Sequence, residues 1–195
     1  KQNKASPYFH KFDKIYIFSP SMKTIDNDPF ESLPDKQKFY EMNLENLEQV
    51  HDEIMDSGER VLIIADDVVN DIKKLKPVEN LLCKMMMNRR HICGSSEEGG
   101  SGLSMWLTTQ IFNRLPRPLR ASASHYTLFK TTNKKEIQTI FDELILLDNK
   151  DFDNMMKYVF DKKYQSLYIN TDKADVKMYH KNFNELQFRR LGAEN

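Results

Sequence analysis

Two adjacent carboxylates, Asp66 and Asp67, directly follow an apolar run at residues 61–65. A continuous apolar run of this length is typical of a strand buried on both faces of a parallel sheet. The acids would then lie at the carboxyl end of the strand, which is the edge where open α/β sheets bind ligands. One hypothesis is a phosphoryl-transfer site, in which Asp66 helps to hold Mg²⁺ and Asp67 orients water. The alternative is a solvated Asp-Asp turn.

Three arginines lie close together further along the chain, at Arg114, Arg117 and Arg120. Pro116 and Pro118 separate them and predict a stiff loop. Because a guanidinium is always charged and its planar fork matches phosphate oxygens, the segment is a candidate anion-binding patch. A solvated basic loop is the alternative interpretation.

Composition limits the function classes. The chain has 195 residues, which suits one domain, and 29 basic residues balance 29 acidic ones. A nucleic-acid contact would therefore need a local basic patch. Cys83 and Cys93 do not form a disulfide framework or a metal-ligand set, so unpaired thiols in a reducing compartment are expected. No apolar run approaches the roughly 20 residues that span a bilayer. Since Lys1 is not an initiator methionine, we expect the chain to begin within a longer protein or after processing.

Hydrophobic periodicity predicts alternating strands and helices. The predicted strands cover residues 14–18, the run ending at Asp66, 103–110 and 126–129, with a closing hairpin at 167–169 and 176–179. The predicted helices cover residues 40–60, 78–88, 134–147 and 151–160. Residues 22–38 and the lysine-rich segment after Asp67 are predicted to be a loop and a linker. This alternation is typical of an α/β layered sheet.

Residues 93–102 are rich in Gly and Ser. A phosphate loop requires a lysine to meet the phosphates, and none is present here. Glu97 and Glu98 would also repel phosphate. The composition predicts a flexible surface loop, and an engineered linker is the alternative.

Five short motifs, taken in order, resemble those of the poxvirus-type DNA-packaging ATPases. The motifs are KIYIFSPS at 14–21, LIIADDV at 62–68, RRH at 89–91, SMWLTTQ at 104–110 and LPRPLRA at 115–121. These ATPases belong to the FtsK/HerA superfamily and occur in nucleocytoplasmic large DNA viruses, virophages and related mobile elements. The resemblance covers approximately residues 12–145, and it depends on the order and spacing of the motifs together.

The resemblance implies a role for five residues. Asp66 corresponds to the Mg²⁺-site acid of the Walker B strand, and Asp67 corresponds to the acid that polarises the attacking water. Gln110 corresponds to a polar sensor of the γ-phosphate. Arg120, together with Arg117, corresponds to the arginine that meets the nucleotide of a neighbouring subunit.

The resemblance also implies a fold: a RecA-like additional-strand P-loop NTPase with three layers and a mostly parallel central sheet. The 195 residues contain no Gly-x-x-x-x-Gly-Lys-Ser/Thr, so the first strand and the P-loop are expected to be missing from this chain. ATP binding by the chain alone should then be weak. We expect a truncated ATPase core at residues 1–147 and a helix-and-hairpin extension at 148–195. Arg90 and His91 match a recurring Arg-His position and are expected to shape the site.

The function implied is a motor that uses ATP and Mg²⁺ to move double-stranded viral DNA into a capsid. Its partners would be DNA, further copies of the chain in a ring, and capsid or portal-vertex proteins. Its location would be the host cytoplasm, a viral factory or the virion. Two alternatives are another DNA translocase of the superfamily and a non-enzymatic α/β module. The module would bind nucleic acid or a protein through residues 114–120.

Overall fold

The computed structural model describes residues 11–24, 26, 28–95, 100–173 and 178–187. The chain divides into two compact units between Leu119 and Arg120. This division differs from the expected one after residue 147, because the strand that follows Arg120 pairs with strands nearer the carboxyl end of the chain. Residues 96–99, at the centre of the predicted Gly/Ser loop, lie outside the described residues.

The first unit contains a four-stranded parallel sheet. Its strands are β1 (Lys14–Phe18), β2 (Lys38–Phe39), β3 (Arg60–Asp66) and β4 (Gly102–Thr108). Their order across the sheet is β2-β1-β3-β4, and every neighbouring pair is parallel. The prediction of an α/β protein with a parallel sheet is therefore confirmed. β2 was not predicted, because two residues within a polar stretch leave no periodic signal.

Three helices accompany this sheet: α1 (Leu44–Ile54), α2 (Val69–Lys74) and α3 (Lys76–Met87). α1 begins at Asn43, whose side chain accepts a hydrogen bond from the backbone N–H of Asn46 at 2.9 Å, as N-cap residues do. The segment after Asp67 is the helix α2 and not the expected linker. Its apolar residues Val69 and Ile72 are buried, while Asn70, Asp71 and two lysines make up the rest of the helix.

The core of the first unit contains both cysteines. Cys83, on α3, and Cys93 are unpaired and buried, as predicted from their number. Burial raises the pKa of each thiol, because a thiolate is poorly solvated away from water. Met85 and Met86 are also buried, which confirms the prediction that these two methionines fill the core, whereas Met87 at the end of α3 is exposed.

The second unit contains a four-stranded antiparallel sheet and two long helices. Its strands are β5 (His125–Phe129), β6 (Ser166–Asn170), β7 (Tyr179–Lys181) and β8 (Asn184–Glu185), which neighbour one another in that order. The helices are α5 (Lys134–Leu144) and α6 (Asn149–Val159), and the short helix α4 (Arg117–Ser122) crosses the division between the units. The predicted hairpin is confirmed by the pairing of β6 with β7. The second predicted hairpin strand covers 176–179, of which residues 176 and 177 lie outside the described residues, and β7 begins at Tyr179.

The expectation that residues 126–129 continue the alternating parallel sheet is wrong. β5 pairs antiparallel with β6, with Thr127 opposite Tyr168. His125, Thr127 and Phe129 are exposed while the residues between them are half-buried. Such alternation is typical of an antiparallel strand with one wet face, whereas parallel strands are covered on both faces. Among the described residues, no helix is long and apolar enough to cross a membrane.

Candidate functional site at the carboxyl ends of the parallel strands

Strand register brings three polar residues to one edge of the parallel sheet. Phe18 pairs with Ala65, so Ser19 and Asp66 are the next residues along their strands. On the other side of β3, Asp66 pairs with Thr108 at the end of β4. Because the three strands are parallel, the carboxyl ends of β1, β3 and β4 meet at this edge.

Both oxygens of the Asp66 carboxylate accept a hydrogen bond from a neighbouring strand. The Ser19 hydroxyl donates to Oδ2 at 2.9 Å, and the Thr108 hydroxyl donates to Oδ1 at 2.5 Å. Ser19 is almost completely buried, at 1% exposed, and its Oγ also accepts from the backbone N–H of Ser21. The carboxylate is thus held from two sides before any ligand arrives.

Asp67 turns the chain out of the sheet. Its φ is 53°, in the left-handed region that non-glycine residues seldom adopt, although aspartate is among the types that tolerate it. Its backbone N–H donates to the carbonyl of Thr108 at 3.3 Å. The Asp67 side chain is exposed, and its Oδ2 accepts from Nε2 of Gln110 at 3.1 Å.

A tight turn after β4 presents Gln110. The Thr109 hydroxyl oxygen lies 3.2 Å from both the backbone N–H and the carbonyl of Ile111, accepting from the first and donating to the second. A hydroxyl that bonds backbone two residues ahead closes such a turn locally. The structure therefore brings together three of the predicted residues, Asp66, Asp67 and Gln110.

The donors at this edge suit a magnesium ion. Carboxylate, hydroxyl and amide oxygens are the hard ligands that Mg²⁺ prefers, and Mg²⁺ is commonly held by one or two carboxylates while water or phosphate fills its other positions. No cluster of three or more His, Cys, Asp or Glu side chains that could hold a metal occurs in the described ranges. Asp66 and Asp67 could thus share a Mg²⁺ ion with another source of oxygen, but would not form a complete protein cage. They also offer ATP phosphates no positive charge.

Arg120 lies in the second unit and makes a bidentate ion pair there. Its guanidinium Nε and Nη2 each donate to Glu143 at 2.7 Å, and this pairing raises the pKa of Arg120. The residue is buried, at 9% exposed, and its carbonyl oxygen accepts a hydrogen bond from the Tyr126 hydroxyl. These contacts give Arg120 a structural role within its own unit. Its role toward a neighbouring subunit stays a prediction, as does that of Arg117, which is exposed on α4.

Arg90 and His91 do not lie with the acidic residues, which corrects the expectation that they shape that site. Both are exposed in the turn after α3, and Arg90 lines a cavity beside Arg60, the first residue of β3. Asp66 ends the same seven-residue strand, which spans about 20 Å. Arg90 and His91 therefore belong to the opposite edge of the sheet.

Two residues of the site, Ser19 and Thr108, were not identified from the sequence. Each stands where a strand ends beside the strand that carries Asp66. The available signal was a hydroxyl residue near the carboxyl end of two other predicted strands. It identifies partners of Asp66 only once those strands are known to neighbour β3.

Comparisons with protein-family models, with curated proteins and with solved structures find no match to this chain.

Proposed function

We propose that this chain is part of an ATP-hydrolysing motor that moves double-stranded DNA, and that its first unit is the catalytic core of a RecA-like fold. The observation that carries the proposal is the cluster at the carboxyl edge, where Asp66 is held by two hydroxyls and Asp67 contacts Gln110. The resemblance of five ordered motifs to DNA-packaging ATPases supplies the substrate, the ring of subunits and the capsid as the destination of the DNA.

Each residue of the cluster has a proposed task. Asp66 presents a fixed carboxylate to Mg²⁺, since two hydroxyl donors leave further lone pairs on its oxygens. Asp67 is exposed, so its carboxylate can orient a water molecule and accept its proton. Gln110 keeps Asp67 in place and offers a second N–H and a carbonyl oxygen to the reacting group. Bound Mg²⁺ would neutralise charge on the phosphates during their transfer.

The proposal requires a phosphate-binding loop that is not among the 195 residues. The outer edge of β4 supports it: within the described residues β4 pairs only with β3, so a further strand can be added beside the site. A P-loop delivered on such a strand would lie at the same carboxyl edge, across the end of β4 from Asp66, and would supply the positive charge that this edge lacks.

Steady-state ATP hydrolysis by the complete protein tests the proposal. We expect Asp66→Asn to reduce turnover by about 100-fold or more. Losses of this size are seen when one contact that stabilises charge in the transition state is removed. Glu48→Gln is a matched control, because it removes one carboxylate from an exposed position of α1. Normal turnover in Asp66→Asn, or no hydrolysis by the wild type with duplex DNA present, would overturn the proposal.

The second candidate is a non-enzymatic module that binds through the arginine segment. The exposure of Arg114 and Arg117 favours it, whereas the ion pair of Arg120 with Glu143 removes Arg120 from that surface. A module of this kind would bind nucleic acid without hydrolysing ATP, and Arg114→Gln with Arg117→Gln would abolish the binding.

A further inference from the structure

A cavity of about 340 Å³ opens at the amino ends of β3 and β4. Four basic side chains line it, from Lys11, Arg60, Arg89 and Arg90, together with the first residues of β4. The volume lies in the range of small-ligand pockets, about 300–1,000 Å³. The cavity is separate from the acidic cluster, which occupies the other end of the same strands.

Among the residues that the structure describes, the positive charge lining the cavity exceeds the negative charge beside it. Arg60 forms a bidentate pair with Asp13, at 2.7 and 3.0 Å, and Glu59 pairs with Lys14 at 3.0 Å. In contrast, Lys11, Arg89 and Arg90 make no ion pair with any residue of the described ranges. Arg89 donates to the carbonyl of Met86 at 3.3 Å, and this neutral acceptor leaves its charge uncompensated. Three cationic groups therefore face one opening.

Backbone contacts fix the walls that carry these cations. The N–H of Leu103 donates to the carbonyl of Arg89 at 2.7 Å, which ties the end of the α3 turn to β4. Gly102 permits this approach: its φ is +147°, and a Cβ at that position would lie 3.3 Å from the Arg89 carbonyl oxygen. On the other side, the N–H of Asp13 donates to the carbonyl of Arg60 at 2.8 Å.

We propose that this cavity binds phosphate groups of a nucleic-acid backbone. Arginine and lysine side chains supply most phosphate contacts in such complexes, and these contacts do not depend on base sequence. The exposure of Lys11 and Arg90 at the mouth suits a polyanion that lies across the opening. The proposal goes beyond ATP hydrolysis and does not depend on it, because it uses none of the residues of the acidic cluster.

Fluorescence anisotropy with a labelled 20-base-pair duplex, without nucleotide or Mg²⁺, tests the proposal on the full chain. The test variant is Lys11→Gln with Arg90→Gln, and both positions are exposed, so folding should be unaffected. We expect it to bind at least about tenfold more weakly at low salt, and the slope of log K against log salt to fall by about 1.8, or 0.9 per lost contact. The control variant, Lys84→Gln with Lys150→Gln, removes the same charge from exposed helical positions and should keep the wild-type slope.

The same assay distinguishes the other sources of phosphate. Inorganic pyrophosphate is titrated against the wild-type complex at constant ionic strength. If pyrophosphate displaces the duplex only at concentrations at which sulfate also displaces it, the result supports a site for the nucleic-acid backbone. Displacement by micromolar pyrophosphate, with weaker pyrophosphate binding in the test variant, would show a small-anion site and overturn the proposal. An unchanged salt slope in the test variant would also overturn it. These outcomes are independent of turnover, so failure of the motor proposal does not decide this one.

Discussion

The hydroxyl of Ser19 donates a 2.9 Å hydrogen bond to Oδ2 of Asp66. Ser19 directly follows β1, and Asp66 is the last residue of the neighbouring parallel strand β3. The Thr108 hydroxyl binds the other oxygen, so the carboxylate is positioned by residues 47 and 42 places away in the sequence. Site geometry thus depends on strand pairing.

Ser19→Ala should reduce the free energy of unfolding by about 1.5–3 kcal/mol, the value for a hydrogen bond to a charged group. The substitution also removes one of the two contacts that hold the Asp66 carboxylate. Mg²⁺-dependent turnover should therefore fall by more than the decrease in the fraction of folded protein. Urea denaturation and ATPase assays on the same preparation measure the two effects. Thr24→Ala, which removes an exposed hydroxyl, is the control. Equal losses in both variants would contradict the assigned contact.

Asp67→Asn should abolish ATP turnover in the complete protein while nucleotide binding persists. An amide fits the same space, but it cannot accept a proton from water. Asp67→Gly should also lack activity, yet its free energy of unfolding should rise by about 0.5 kcal/mol, because glycine adopts a φ of 53° without strain. Nucleotide binding, hydrolysis and urea midpoints test both variants. Substantial turnover in Asp67→Asn would exclude the role of Asp67 as a base.

Gln110→Ala should reduce turnover strongly and change ADP affinity little. A group that contacts only the transferred phosphate makes no contact with the diphosphate. Its loss also removes the 3.1 Å hydrogen bond to Asp67. Calorimetric binding of ADP and of a non-hydrolysable ATP analogue distinguishes a sensor of the γ-phosphate from a structural residue. Equal weakening of both affinities would indicate the structural role.

Arg120→Ala should destabilise the second unit by about 1.5–3 kcal/mol, because it removes charge-assisted hydrogen bonds to Glu143, whose side chain stays accessible to water. Arg120→Lys should not restore stability fully, since a lysine cannot form the two parallel bonds to Glu143. Chemical denaturation, followed by a probe in the second unit, measures the free energy of unfolding of both variants. With a purely structural role, mixing Arg120→Ala with Asp67→Asn subunits should restore no ATPase activity. Restored activity would show that Arg120 acts on a neighbouring subunit.

The ion pair of Asp13 with Arg60 should contribute to acid stability in a narrow pH window. Hydrogen bonds from Arg60 lower the pKa of Asp13 from 3.8 to about 2. Because the folded-state pKa is depressed, the contribution is fully present above pH 3.8 and disappears as the pH falls toward 2. Unfolding free energies of the wild type and Asp13→Asn should therefore differ at pH 5 and converge near pH 2. A difference that stays constant over this range would exclude the linkage.

The residues that could be predicted from the sequence are those with a local signal. The apolar run ending at Asp66 is a strand, because strand burial depends on near neighbours. The predicted strand at 103–110 is also present, although it ends at Thr108 and Gln110 lies in the turn that follows. α5, with Ile140 and Leu144 buried on one face, follows in the same way from its periodicity.

The residues that could not be predicted depend on pairing. His125 to Phe129 has the composition of a strand, but its partner, β6, lies about 40 residues further along and its direction is set by tertiary contacts. Ser19 and Thr108 became part of the site only through the register of β1, β3 and β4. α2 was missed because only two buried apolar residues stand among its lysines.

Both cysteines of the chain lie in the first unit, and both thiols are buried with a raised pKa. The thiolate is the nucleophile that attacks an alkylating reagent, so labelling of either residue requires the surrounding core to open. The rate of alkylation under native conditions therefore measures how often the parallel-sheet unit opens. The antiparallel unit contains no cysteine, so the labelled sites all lie in the parallel-sheet unit.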